Sequence, residues 1–403
     1  MAAKIKQLSG TFALNKSEPI HRWYPYIEGF SSSLVRDELD KIQEGVSSLY
    51  DPFGGCGTAP LTAAQRGIKS FYSETNPFMA YLCDVKINVV KAAYDKFDVV
   101  EQELNHLLEI IDRFPFGNCI PCEYQGIEKY YRPDVLSKLI ALMNLIEEFC
   151  QDELASKLAK TSLACILVNT SNMVRRGDLR YAKKGEKLET DFDIVYHYRQ
   201  KLNEILHDVK EYGNSIKAKT VQLSEDARQI NEIDLVDCIV TSPPYLNGTN
   251  YIRNTKLELK LLGFIDNEGD LPKYHSKGII AGINNVSKRN TKNIRIVDEV
   301  RNIVEKLEQV AYDKRIVPMV IGYFYDMDRV FDKLHHILVN NGYLILDIGD
   351  SQFAGVHIPT HDILTSLAAK KGFAAYDTTV LRSRRSKNGM VLTQRIIRYR
   401  LHK

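Results

Sequence analysis

Ser242-Pro243-Pro244-Tyr245 closes the apolar run at 236–240. Each proline has a fixed φ and no N–H, so the loop is stiff and its carbonyls face few competing donors. The tyrosine adds a flat face on which a ring can stack. A carbonyl and a serine hydroxyl that accept hydrogen bonds from an exocyclic NH2 draw its lone pair out of conjugation. The nitrogen can then attack an electrophilic methyl group directly, without a covalent enzyme intermediate. The bland alternative is that the same four residues form a turn after a strand.

A second constellation lies upstream. Asp51-Pro52-Phe53-Gly54-Gly55-Cys56-Gly57-Thr58 follows Leu49-Tyr50 and leads into residues 59–66, which predict a helix with Pro60 in its first turn and Gly67 as its stop. In such a strand, glycine turn and helix, the glycines let a ligand approach the backbone, and the free N–H groups of the helix start suit an anion such as an amino-acid carboxylate. Asp51 is placed to hold an ammonium group. The next predicted strand, 68–73, ends at Glu74, where a parallel nucleotide-binding sheet commonly sets an acid on ribose hydroxyls. A dinucleotide is the competing ligand. Gly55-Cys56-Gly57-Thr58-Ala59-Pro60 lacks the third glycine of that fingerprint, and S-adenosylmethionine fits better.

Together the two loops resemble the cofactor and catalytic motifs of the S-adenosylmethionine-dependent amino DNA methyltransferases. Phe30-Ser31-Ser32-Ser33-Leu34, just before the glycine loop, matches that family's Phe-x-x-x-Leu segment. The resemblance covers roughly the first hundred residues and most of the chain from Val221 onward. It implies that Phe30 and Ser31 close over the methionine end of the cofactor. Asp51, Pro52, Phe53, Gly55, Gly57, Thr58 and Glu74 would then bind the cofactor, with Asp226 near its adenine amino group. Ser242, Pro243, Pro244 and Tyr245 would act on the base. Cys56 stands where the family usually has serine or threonine, which keeps the side chain small. Serine before Pro-Pro-Tyr is usual for methylation of cytosine at N4, and aspartate or asparagine for adenine at N6. The implied reaction is therefore N4 methylation of a cytosine flipped out of double-stranded DNA, with N6-adenine as the alternative. Restriction-modification is the implied setting, with a cognate restriction endonuclease as partner. Two competing readings are an RNA base amino-methyltransferase, although no RNA-binding module is recognisable, and a nucleic-acid-binding regulator without turnover.

A chain of 403 residues with 44% hydrophobic content can hold a catalytic core and an added module. No apolar run reaches the length of a membrane span, and the lysine-bearing start has no apolar core of a secretion signal, so the cytoplasm is expected. Net charge is only +3, but basic residues cluster at 172–187, 273–295 and 382–403, as expected of a polyphosphate partner or, more simply, of solvated faces. The candidate DNA contacts are Arg175, Arg176, Arg180, Arg253, Lys277, Lys288, Arg289, Arg382, Arg384 and Arg385. The seven cysteines read as free thiols. Cys119 and Cys122 have metal-like spacing but no second pair, so no metal is expected. Pro121-Cys122 is similar to the nucleophile dipeptide of cytosine-C5 enzymes but lies in a helical context, which argues against covalent chemistry.

The elements that must position these residues follow from periodicity. Leu136, Leu139, Ile140, Met143 and Ile146, and later Leu202, Ile205, Leu206 and Val209, recur at helical spacing. Residues 95–215 exceed what a crossover needs and predict an inserted, mostly helical module, with DNA as a candidate contact. The catalytic domain is then 1–94 plus 216–403, with a flexible basic loop at 264–295. A strand at 219–223, a helix at 327–339, a strand at 343–348, and strands at 374–381 and 391–401 joined by a basic turn at 382–389 complete the reading. The implied fold is α/β: a Rossmann-like methyltransferase sheet with helices on both faces and a C-terminal antiparallel hairpin. Strand ends carrying Asp51, Glu74, Asp226 and Ser242 would line one edge. The aromatic stretch 21–28 is either core or a lid over cofactor or base. Oligomeric state is left open.

Overall fold

The computed structural model describes residues 10–26, 28–117, 124, 126–230, 234–246, 250–287, 290–386 and 388–403. Strands in chain order are β1 (Ser48–Asp51), β2 (Lys69–Ser73), β3 (Met173–Arg176), β4 (Asp178–Tyr181), β5 (Thr220–Ser224), β6 (Val236–Thr241), β7 (Leu338–Gly349), β8 (Ser351–Phe353), β9 (Val356–Ile358), β10 (Phe373–Arg385) and β11 (Val391–Leu401). Seven of them form one sheet in the order β10-β11-β7-β6-β1-β2-β5, while β3–β4 and β8–β9 are separate ribbons. The run from β5 to β7 is parallel, and β11 lies antiparallel between β7 and β10.

Residue alternation explains why the sheet is covered on both faces. Leu49, Cys238, Val240 and Ile345 face a cluster with Leu34 of α1 (Ser32–Asp40) and Ala59 of α2 (Thr58–Gln65). Their neighbours Tyr50, Ile239, Leu344 and Leu346 face the other side, where Phe324 and Phe331 of the long helix Ile316–Ile337 pack. Four helices, Phe97–Arg113, Pro133–Phe149, Glu153–Ile166 and Ile194–Tyr212, come from the segment between β2 and β5. Their apolar stripes share one core with Phe78 and Leu82 of α3 (Pro77–Asp84) and with Trp23 and Tyr24. One carboxylate fastens this junction: Asp208 accepts from the Ile20 amide at 2.8 Å, from Trp23 Nε1 at 2.9 Å and from Arg22 at 2.5 Å.

Three local readings change. The basic segment after residue 381 is strand rather than turn, because β10 stays in register with β11 as far as Arg385↔Val391. The helix expected at 327–339 begins at Ile316, and its strand begins directly at Leu338. The loop at 264–295 is pinned where it is described: Ile279, Ile280 and Ala281 are buried, Ile280 packs against Gly322, and its amide donates to Asp326 at 3.2 Å. Among the described residues no helix is long and apolar enough to cross a membrane.

Candidate active site

The glycine loop leaves the C-terminal end of β1 and the Ser-Pro-Pro-Tyr loop leaves that of the adjacent β6. The two strand ends are tied together, since Thr241 Oγ1 donates to Asp51 Oδ1 at 2.7 Å. The Phe53 amide donates to the same oxygen at 3.0 Å. Burial nevertheless pushes the Asp51 carboxyl up to about 7, the two hydrogen bonds opposing the shift. At the end of β2, Glu74 accepts from the Gly55 amide at 2.8 Å and the Asn76 amide at 2.7 Å. Its carboxyl is likewise pushed up to about 7, chiefly by burial and further by the charge of Asp51.

The glycines are needed where they stand. Gly57 has φ +83°, and a Cβ there would lie 2.9 Å from Cys83 Sγ; one on Gly54 would lie 2.9 Å from the Tyr72 ring. Under the loop, a one-turn π-widening at Val85–Val89 directs the buried Lys86 amine to the Cys56 carbonyl at 3.2 Å. The Cys56 thiol is buried and shifted upward, so it packs as a small neutral group.

A cavity of about 430 Å³ opens above the strand ends. Its walls include Phe30, Asp51, Pro52, Phe53, Gly55, Thr58 and Glu74 on one side and Ser242, Pro243, Pro244 and Tyr245 on the other. Thus the two loops and the Phe30 segment meet in one space. Asn15 fastens that segment: its Nδ2 reaches the Phe30 carbonyl at 3.2 Å and Thr58 Oγ1 at 3.4 Å, and its Oδ1 takes the Ser32 amide at 2.8 Å.

Three expected cofactor residues, Ser31, Gly57 and Asp226, do not line the cavity, Gly57 being turned toward Cys83. Asp226 does not line the cavity; both its oxygens bind Arg228 at 2.9 Å, and Arg228 continues to Asp326 at 2.8 Å. Its neighbours Glu225 and Ala227 do line the wall. Ser31 caps α1, accepting the Leu34 amide at 3.3 Å, so it shapes the segment without reaching the cavity.

Asp347 and Gln394 are wall residues that the sequence reading does not single out, whereas the wall residues Tyr26 and Glu28 belong to the aromatic stretch 21–28. Asp347 sits near the end of β7, adjacent to β6, so a polar residue interrupting the apolar run at 343–348 was the available signal. Gln394 Nε2 donates to both its oxygens, at 2.8 and 2.9 Å. Tyr245 donates a side-chain hydrogen bond to it, and burial pushes its carboxyl up to about 7. The Ser242 hydroxyl hydrogen-bonds Tyr245 in turn, and the tyrosine ring lies flush on Gly349, where a Cβ would meet it at 3.3 Å. The aromatic stretch divides between its two readings: Trp23 and Tyr24 are core, whereas Tyr26 lies against Gly55 in the cavity.

Of the basic candidates, Arg382 and Lys277 line the cavity mouth. Arg384, Arg385, Arg253 and Arg176 are exposed. Lys277 pairs with Glu225, and Arg180 makes a two-bond pair with Glu186 at 2.8 and 2.9 Å. Arg175 is withdrawn as a DNA contact: it is buried against Glu258 at 2.6 Å and stacks over Tyr24. Lys288, Arg289, Cys119 and Cys122 lie outside the described residues. No group of metal-ligating side chains occurs among the described residues.

No protein-family model matches the chain. It is 26% identical to the type II methyltransferase M.AvaI of a Nostoc species, over 92% of this chain and 82% of that protein. It is 24% identical to M.BsoBI of Geobacillus stearothermophilus, over 94% and 83%, and 21% identical to M.MvaI of Kocuria varians, over 90% and 84%. A solved rRNA methyltransferase from Streptomyces viridochromogenes covers 94% of this chain and 86% of its own at 9% identity, but with a TM-score of 0.30 its likeness carries no weight. S-adenosylmethionine is the methyl donor such relatives imply, and the cavity has room and polar wall for it, with the carboxylates of Asp51 and Glu74 beside Gly54 and Gly55. In sequence the chain is similar to type II methyltransferases over most of its length, and its two loops have the amino DNA methyltransferase pattern on adjacent strands of an α/β sheet.

Proposed function

We propose that the protein methylates the N4 amino group of a cytosine flipped out of double-stranded DNA, within a restriction-modification system whose endonuclease is its functional partner. The observation that carries this reading is the single cavity in which Asp51 and Glu74 face Ser242 and Tyr245. S-adenosylmethionine supplies an electrophilic methyl group there. Asp51 holds its ammonium and Glu74 its ribose hydroxyls, while Phe30 and Phe53 add apolar wall.

Tyr245 stacks on the flipped base, and its hydroxyl bond to Asp347 keeps the ring from rotating. The Ser242 hydroxyl and the Pro243 carbonyl would accept hydrogen bonds from the two amino hydrogens, which frees the nitrogen lone pair for the methyl group; S-adenosylhomocysteine leaves as the thioether and the methylated amino group gives one proton to solvent. Rate then comes chiefly from alignment in a preorganised site. The buried Asp347 gives the base side of the cavity a carboxyl near neutrality even though the loop itself carries serine. Arg382 and Lys277 at the mouth, with Arg384, Arg385 and Arg253 beyond it, supply the phosphate contacts. The helical segment 95–215 is read as the module that broadens the DNA face.

The test is mass spectrometry of nucleosides from DNA of cells making the protein. N4-methylcytosine supports the proposal. N6-methyladenine keeps the chemistry and moves the target, and 5-methylcytosine overturns it. RNA methylated in place of DNA removes the DNA reading.

A further inference from the structure

We propose that the β3–β4 ribbon is the element that enters the duplex beside the target nucleotide, and that Arg176 at its tip occupies the space the extruded base leaves. This rests on the DNA reading above and adds the part that reading lacks. Flipping costs the stacking and pairing of the base, and an element that enters the helix would hold it open.

The ribbon has the right place and build. Its tip, Arg176-Gly177-Asp178, is exposed, yet Gly177 also lines the cavity. Beyond Gly177 there is open space, with no heavy atom within 4 Å of where a Cβ would lie. A two-stranded ribbon fits the major groove of B-DNA, and a guanidinium is planar and stacks well on bases.

The ribbon is also held rigidly, as a wedge must be. Arg175↔Leu179 and Met173↔Tyr181 are cross-strand pairs; Met173 and Leu179 are buried beneath, and Arg175 is clamped to Glu258. Asn254 clips the turn from below: its Nδ2 donates to the Gly177 carbonyl at 2.7 Å and its Oδ1 accepts the Leu179 amide at 2.9 Å. The same Nδ2 donates to Glu28 Oε1 in the cavity wall at 3.0 Å, so the tip is fixed relative to the site. On the outward face Glu186 is taken up by Arg180, leaving Arg176 only a 3.5 Å contact to it and a side chain 70% exposed.

The test uses 2-aminopurine next to the methylated position once that position is mapped. Its fluorescence rises when the neighbouring base leaves the stack. With S-adenosylhomocysteine bound, Arg176→Ala should lower that rise at least fivefold and leave S-adenosylhomocysteine affinity unchanged, and Arg176→Lys should fail to restore it. Wild-type fluorescence in Arg176→Ala overturns the proposal, and so does a change confined to the salt dependence of binding, which would make Arg176 a phosphate contact. Wild-type protein that transfers no methyl to DNA would instead remove the underlying reading.

Discussion

The hydroxyl of Thr241 donates to Asp51 Oδ1 at 2.7 Å across 190 residues of sequence. It adds a side-chain link, at the cavity end, between the paired strands that present the cofactor loop and the catalytic loop. Asp51 is 2% exposed, so its carboxylate depends on the donors it has. Thr241→Val keeps the shape and removes the donor, at a cost of ~1–3 kcal/mol for a buried acceptor left short. Calorimetry should show S-adenosylmethionine binding weakened about tenfold or more. Affinity equal to wild type would mean that this bond does not orient Asp51 for the ligand.

The base side should separate from the cofactor side. Tyr245→Ala should leave cofactor affinity nearly unchanged and reduce methyl transfer, since stacking a base on an aromatic ring is worth ~1–3 kcal/mol. Tyr245→Phe keeps the ring and loses the bond to Asp347, so it should fall between wild type and alanine. Parallel loss of cofactor binding in the alanine variant would place Tyr245 outside the base pocket.

Acidity offers an independent check. Burial raises Asp51, Glu74 and Asp347 to about 7, above ordinary carboxyls at about 4. Stability that these groups allow when protonated is present below their unfolded pKa and lost as pH rises through the folded value. The ligand-free protein should therefore lose thermal stability between about pH 5 and about pH 8. A cationic ligand acts oppositely, because it favours the ionised carboxylates. S-adenosylmethionine should bind more tightly at about pH 8 than at about pH 6, and Asp51→Asn should flatten that slope. Calorimetry at the two pH values decides it; affinity that falls with rising pH would contradict the assignment.

Much of this site is legible in the sequence because its chemistry is local. A glycine turn between β1 and α2 is written in consecutive residues, as is the Pro-Pro-Tyr loop after β6, and strand order then brings them side by side. What cannot be read locally is where a charged side chain finds its partner. Asp226 has the position of a ligand-binding acid, yet Arg228, two residues on, takes both its oxygens. Asp347 and Gln394 are unremarkable in their own strands and become a pair only because β11 inserts beside β7. The first half of the helix Ile316–Ile337 is not legible in the sequence, because its buried Gly322 and its aromatics blur the apolar stripe.

Lys86 is another residue whose role is tertiary. Its amine is buried beneath the glycine loop and donates to the carbonyl of Cys56. Lys86→Met should leave a buried carbonyl short of a donor and loosen the loop, costing ~1–3 kcal/mol. Cofactor affinity should fall more than thermal stability if the lysine chiefly shapes the loop. A variant that melts early but binds normally would make it a folding residue only.

The basic residues divide by burial, and that division is testable. Arg175 is enclosed with Glu258, whose side chain has no exposure. Arg175→Ala should unfold the protein early, by ~3–5 kcal/mol, because it strands a buried carboxylate. Arg382, Arg384 and Arg385 are exposed on β10, and Arg382 lines the cavity. Replacing all three by glutamine should leave the melting temperature unchanged and weaken DNA binding. Each lost phosphate contact should reduce the slope of log affinity against log salt by about 0.9. Binding measured by anisotropy over a salt series provides the number. An unchanged slope would mean that these arginines face only solvent and that DNA is gripped from another side of the cavity mouth.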